Sequence, residues 1–163
     1  MKLRPMTRAD VPAFAPVFRE IVDAGETYAY PEDLPDNAIA DLWMEGAPGR
    51  AVVAIDDDGT FLGAAKMGPN RPGRGAHIGT ASFMVSSAAR GKGVGRALAR
   101  DMIDWHRRQG YAGIQFNAVV ETNMAAVRLW QDLGFRILGT VPGAFRPLLP
   151  SPSRAPALWP NSP

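Results

Sequence analysis

Apolar positions along the chain recur at two different periods, and the changes of period mark out the elements. "LRPM", next to the N-terminus, predicts a short strand. Thr7, with Asp10 three residues on, resembles a capping box. "ADVPAFAPVFREIVDA" follows with apolar spacing close to the helical repeat, and Gly25 ends that helix. "TYAYPEDLP" is a loop, and Pro35 with Asp36 opens a second short helix, "NAIADLWME". "AVVAI", then "DDDG", then "TFLGAAKM" predicts a β-hairpin. "GPNRPGRG" is a loop and "AHIGTASFMV" the next strand. A long amphipathic helix, "VGRALARDMIDWHRRQ", stops at Gly110. "GIQFNAVV" predicts a strand, "ETN" caps the helix "MAAVRLWQDL" before Gly134, and "FRILGTV" predicts a last strand.

The order β-α-α-β-β-β-α-β-α-β, without internal repeats, predicts an α/β (α+β) fold: a mixed central sheet flanked by helices on both faces. From Pro142 on, seven of 22 residues are proline and no periodicity survives. The expected organisation is one domain over residues 1–145 and an irregular tail over 146–163. That tail is open to two explanations, a frameshifted or replaced C-terminus and a genuine irregular arm.

Length and composition narrow the classes. At 163 residues and 46% hydrophobic, the chain can bury one real core. No apolar run approaches a bilayer span, and the N-terminus lacks the apolar stretch of a signal peptide. The absence of cysteine excludes disulfides, thiolate catalysis and thiolate metal sites; no metal site is expected, and a cytoplasmic location is. Net charge is only +2, but residues 1–60 carry five basic and twelve acidic groups while residues 61–110 carry nine and two. Positive charge therefore gathers around one glycine-rich stretch, which suits a phosphate-bearing ligand. A solvated basic helix face would look the same.

That stretch, "ARGKGVGRAL" at 89–98, places Gly91, Gly93 and Gly95 among Arg90, Lys92 and Arg96, between a strand and a helix. Such a turn cradles anions. Missing Cβ atoms admit oxygens to the backbone, and the first helical N–H groups have no intrahelical acceptor. It is not a P-loop, because no G-x-x-x-x-G-K-[ST] run exists. It is not a Rossmann turn either, since Leu98 stands where the third glycine belongs and no acid lies between Asp104 and Glu121.

Arg90-x-x-Gly93-x-Gly95 is similar to the R/Q-x-x-G-x-G/A motif of the GCN5-related N-acetyltransferases (GNAT). "NMAAVRLWQDLGF", residues 123–135, resembles the family's second signature, N-x-x-A-x-x-L-Y-x-x-x-G-F. "LRPMTRAD" and "ASFMV" also resemble the family's first strand-to-helix join and its fourth strand, so the resemblance covers about residues 2–145. It implies acetyl-CoA as cosubstrate. By position, Arg90 and the amides of Gly91, Lys92, Gly93, Val94, Gly95 and Arg96 would hold the pyrophosphate. Met84 and Val85 would bond the pantetheine arm like an added strand. Asn123 would contact that arm, or serve as a helix cap, or both. Trp105 and the stripe Val94, Leu98 and Met102 read as core.

The implied chemistry is direct attack of an amine on the thioester, with a tetrahedral oxyanion and departure of the CoA thiolate. Two departures stand out. The family's tyrosine after the second-motif leucine is Trp130 here, and an indole N–H cannot usefully give up its proton. The fourth strand has no glutamate, so His77 is the nearest titratable candidate for a base, the alternative being a surface histidine. "PNRPGRGAHIGTASFMV" and "QFNAVVETN" resemble more narrowly a branch containing a fungal N-acetyltransferase of proline analogues such as azetidine-2-carboxylate. That implies acceptor contacts from Asn117 and Asn123, with Thr80 in place of a further asparagine. Asn117 could equally be a structural asparagine bonded to backbone. Tyr28 and Tyr30 could wall the acceptor pocket or simply pack.

The expected function is acetyl transfer to the amine of a small molecule or amino acid, in a family where homodimers are common. The competing class is a degenerate, non-catalytic acyl-CoA-binding domain. A nucleic-acid binder fits poorly, because the cations accompany a glycine turn rather than an aromatic-lined groove.

Overall fold

The computed structural model describes residues 1–146; residues 147–163, which make up nearly all of the expected tail, lie outside the described residues. The chain divides into two compact units, Met1–Glu20 with Asp33–Asn117, and Ile21–Glu32 with the residues from Ala118 on.

The first unit is built on one five-stranded sheet whose spatial order is the chain order: β1 (Lys2–Pro5), β2 (Arg50–Ile55), β3 (Phe61–Pro69), β4 (Ile78–Val85) and β5 (Gly113–Ile114). The first three junctions are antiparallel, as loops and hairpins allow. β4 and β5 run parallel, and the crossover this requires is the helix α3 (Val94–Arg108). The β2–β3 turn closes through Asp56 N–H on the Thr60 carbonyl (2.8 Å), with Gly59 at φ 88°.

Cross-strand partners share a face, and faces alternate along each strand. Gly63, Ala65 and Met67 of β3 therefore lie on the same side as Val85, Phe83 and Ala81 of β4. α3 covers this side. A Cβ added at Gly63 would lie 3.3 Å from Val94 Cγ1, and the ring of His106 occupies the space beside Gly79. The stripe expected to be core is core: Val94, Leu98, Met102 and Trp105 are buried. The opposite face carries Lys66 and Gly68 with Ser82 and Thr80. There Lys66 Nζ donates to the Leu42 carbonyl (2.7 Å) at the end of α2 (Asp36–Trp43). Trp43 is buried with Phe14, ring centroids 5.0 Å apart, on α1 (Val11–Asp23). Helices thus flank both faces, as the patterning predicts.

The turn into α1 follows the expected capping box. The Asp10 carboxylate accepts from Thr7 N–H (2.8 Å) and from Nη2 and Nη1 of Arg4 (2.5 and 2.8 Å). Those bonds, the Arg4 pair above all, hold its pKa down at about 2.

Two strand expectations need correction. "GIQFNAVV" pairs only at Gly113 and Ile114; its last bond to β4 is Gln115 N–H on the Gly79 carbonyl (2.9 Å), after which the strands part. "FRILGTV" forms no strand, and Ile137, Leu138 and Val141 are exposed. Strand propensity is realised only against a partner ladder. Among the described residues nothing pairs with 135–141.

In the second unit, α4 (Met124–Asp132) buries Trp130, whose ring meets Phe135 edge to face at 5.5 Å. Tyr28 and Tyr30 stack at 5.6 Å, nearly parallel. Burial raises the Tyr30 hydroxyl above its ordinary pKa. No helix among the described residues is long and apolar enough to cross a membrane.

Candidate functional site

The glycine-rich turn folds as its composition requires. Gly91 and Gly93 have φ of 76° and 78°, the left-handed region that favours glycine, and Gly93 is the N-cap of α3. Among the described residues, a Cβ at either position would meet nothing within 4 Å. Ala97 is the first residue whose N–H closes a helical bond, on the Gly93 carbonyl (3.0 Å); the amides of Val94 and Gly95 precede it at the helix end. Arg90 and Lys92 are exposed on the same turn, and Arg96 is half-buried. The set can accept an anion with two or more acidic oxygens through backbone amides, helix dipole and cations together.

Lys92 is a correction. Its N–H already donates to the Ala89 carbonyl (3.3 Å), so the residue brings its side chain to the turn rather than its amide.

The strand feeding this turn has a defined polarity of edges. Successive residues turn their N–H and C=O to opposite edges. The Ile78 carbonyl accepts from Asn70 and the Ser86 N–H donates to Leu62, so even-numbered residues of β4 face β3. The His77 and Gly79 carbonyls accept from Ala112 and Gln115, so odd-numbered residues face β5. Met84, opposite Ala64, therefore commits its backbone to β3, and its side chain is buried. Beyond Gly79, where β5 departs, the β5-side edge consists of Ala81, Phe83 and Val85. Of the expected pair, Val85 lies on the edge an added strand could use and Met84 does not; Phe83 stands in its place. Strand parity, available only once the register is known, was the missing signal.

The polar residues divide into three places. Thr80 lies half-buried on the α2 face of β4, opposite Gly68. Asn117 Nδ2 donates to Asn70 Oδ1 at 2.6 Å, across 47 positions of sequence. Asn70, which sequence reasoning did not single out, extends the β3–β4 ladder one residue past Pro69 through its N–H on Ile78 (2.7 Å), on the same face as Thr80. His77 is elsewhere. It precedes β4, so the strand's length of about 23 Å separates it from the glycine turn. Its Nδ1 lies 3.0 Å from the Arg74 carbonyl. It lines a shallow cavity of about 340 Å³ with Pro48, Gln109 and Tyr111, at the C-terminal end of α3 rather than the cradle end.

In the second unit, Asn123 is the N-cap of α4, its Oδ1 accepting from Ala126 N–H at 3.2 Å. The cap is therefore real, and Nδ2 remains for other contacts. Trp130 occupies the tyrosine position of the second motif with a buried ring.

The comparisons with known proteins agree with this arrangement. A GCN5-related N-acetyltransferase from Kribbella flavida superposes with TM-score 0.86 at 61% identity, over 88% of this chain and 87% of that one. A phosphinothricin acetyltransferase from Sinorhizobium meliloti, solved with AcCoA, shares the fold (TM-score 0.79, 23% identity, 88% and 79% covered). Among curated proteins, the L-methionine sulfoximine/L-methionine sulfone acetyltransferase of Pseudomonas aeruginosa is 33% identical over 140 residues, 82% of this chain and 79% of its own length. N-acetyltransferase aca1 of Schizosaccharomyces pombe is 40% identical over 100 residues, 61% of this chain; the chain spans 48% of aca1 and 13% of Protein SPT10 of Saccharomyces cerevisiae. The model of the acetyltransferase (GNAT) family matches residues 15–135. With the family model matching most of the chain and relatives of this identity and coverage, the chain belongs to the acetyltransferase (GNAT) family.

Proposed function

We propose that this protein is an acetyl-CoA-dependent N-acetyltransferase that acetylates the amine of a small molecule or amino acid by direct attack. The observation that carries the reading is the start of α3: two left-handed glycines with no described atom near a Cβ, the first amides of the helix and cations, directly after a strand whose neighbour has parted from it. Its chemistry fits a pyrophosphate. Arg90, Lys92 and the amides of Gly91, Gly93, Val94, Gly95 and Arg96 would hold that group. Phe83 and Val85 would offer backbone bonds to the arm that follows.

Acetyl-CoA, when bound, supplies an activated acyl group on a good leaving group. The chain's own task is then to hold and orient the amine. Asn117 is the residue we assign to that task, with Thr80 on the neighbouring strand. Tyr28, Tyr30 and Asn123 belong to the second unit and are proposed as acceptor or arm contacts on the resemblance alone. We do not assign His77 the role of base, because it stands at the opposite end of β4. An amine of ordinary basicity can lose its proton to water before attack. The relatives support an amine acceptor: they include an L-methionine sulfoximine/L-methionine sulfone acetyltransferase and a streptothricin acetyltransferase.

The buried Trp130 favours a second reading, in which the domain binds acyl-CoA without turning it over. Thiol release from acetyl-CoA across a panel of amines and amino acids, with mass detection of product, separates the two. Transfer predicts free thiol and an acetylated product in equal amounts. Binding without thiol release for every compound would contradict it.

A further inference from the structure

Resting on that reading, we propose that the acceptor is an α-amino acid, recognised through its amine and its carboxylate by Asn117, Asn70 and Arg71. The orientations of the two amides carry the inference. Arg71 Nη1 donates to the Asn70 backbone carbonyl at 2.9 Å and lies 3.3 Å from the Asn70 side chain. A guanidinium has donors only, so the Asn70 atom facing it is Oδ1. That oxygen also receives the Asn117 side chain at 2.6 Å, so the Asn117 atom facing it is Nδ2. Two donors converge on one carbonyl oxygen, and both amide flips are thereby set. What remains outward is of opposite character. Asn117 presents Oδ1, which accepts an N–H. Asn70 presents Nδ2 and Arg71 its remaining N–H groups, which donate.

An acceptor oxygen beside a cation and an amide donor is the complement of an α-amino acid. Its amine donates to Asn117 Oδ1, and its carboxylate accepts from Arg71 and Asn70. Arg71 has charge to spare, since no carboxylate pairs with it among the described residues. The hydrogen bond to Asn117 also does mechanistic work. It fixes which N–H of the amine is held and so where its lone pair points. Asn70 acts through Asn117 and is in that respect a positioning residue.

The test compares L-methionine sulfone, L-proline and L-alanine with their carboxamides, which keep the amine and side chain and remove only the negative charge. Charge-assisted bonds of this kind predict about a tenfold or greater preference in kcat/KM for the acid. Arg71→Gln brings the ratio towards one. The neighbouring Arg74→Gln, which removes a charge from the same loop outside the trio, leaves the ratio as in the parent. Asn70→Asp keeps an oxygen for Asn117 Nδ2 but replaces the outward donor by a negative charge, so preference passes to the carboxamide. Equal turnover of acids and amides, or an unchanged ratio in Arg71→Gln, would overturn the inference while leaving acetyl transfer standing. Absence of thiol release with every compound would instead overturn the transfer reading, and this inference with it.

Discussion

His106 and Gly79 form a pair that neither residue type announces. The histidine is 1% exposed, its Nδ1 donates to the Met102 carbonyl at 2.9 Å, and its ring fills the volume a side chain at position 79 would need. In sequence, His106 sits in "DWHRRQ", where its neighbours Arg107 and Arg108 suggest a solvated face. Burial lowers its pKa, and the charge of Arg50 adds to this, while the carbonyls of Met102 and Gly68 oppose it. The sign of the linkage follows. The neutral ring belongs to the folded state, and the unfolded chain takes up its proton first, near pH 6.5. Stability is therefore whole above about pH 6.5 and falls as the pH drops towards the folded-state value. Urea midpoints between pH 7.5 and 5 should decline, and His106→Phe, which keeps a ring against Gly79 but cannot titrate, should flatten the profile. An equal decline in that variant would assign the effect to other groups. Asn70 was illegible for a different reason: an asparagine in "GPNRPG" is an ordinary turn residue until the register brings it to Asn117.

At the level of elements, the glycine turn was legible because each property is local. Glycine spacing, cations and the following amphipathic run sit within ten residues. The edge polarity of β4 was not, because it depends on which neighbour each backbone group meets; hence Phe83 rather than Met84. Gly93→Val tests the turn. A φ of 78° costs an L-residue about 1–2 kcal/mol, but no atom of the described residues lies within 4 Å of the new Cβ. The variant should therefore fold with a modestly lowered urea midpoint and lose acetyl-CoA binding, because the branched side chain stands where the phosphate oxygens belong. Retained binding in the folded variant would remove Gly93 from the cradle.

For the molecule as a whole, helices α1 to α4 and strands β1 to β4 followed from periodicity and punctuation, while the parallel pairing of β4 with β5 came only from the structure. The strand expectations failed where a partner was needed. "FRILGTV" has the right residues for a strand and, among the described residues, no ladder to join. "GIQFNAVV" gives up its pairing after two residues, and the parting of β4 and β5 that results opens the edge proposed to receive the cofactor arm. The charge asymmetry noted along the chain also finds its place, with the cations of 90–96 gathered on the turn that follows this edge.

Acetyl-CoA binding as proposed depends on that turn holding a pyrophosphate. Calorimetric titration with acetyl-CoA and with S-acetylpantetheine, which shares the thioester and arm but lacks the phosphates, tests this directly. Loss of several charge-assisted bonds predicts at least a hundredfold weaker binding of the fragment, about 3 kcal/mol. Equal affinities for the two would contradict it.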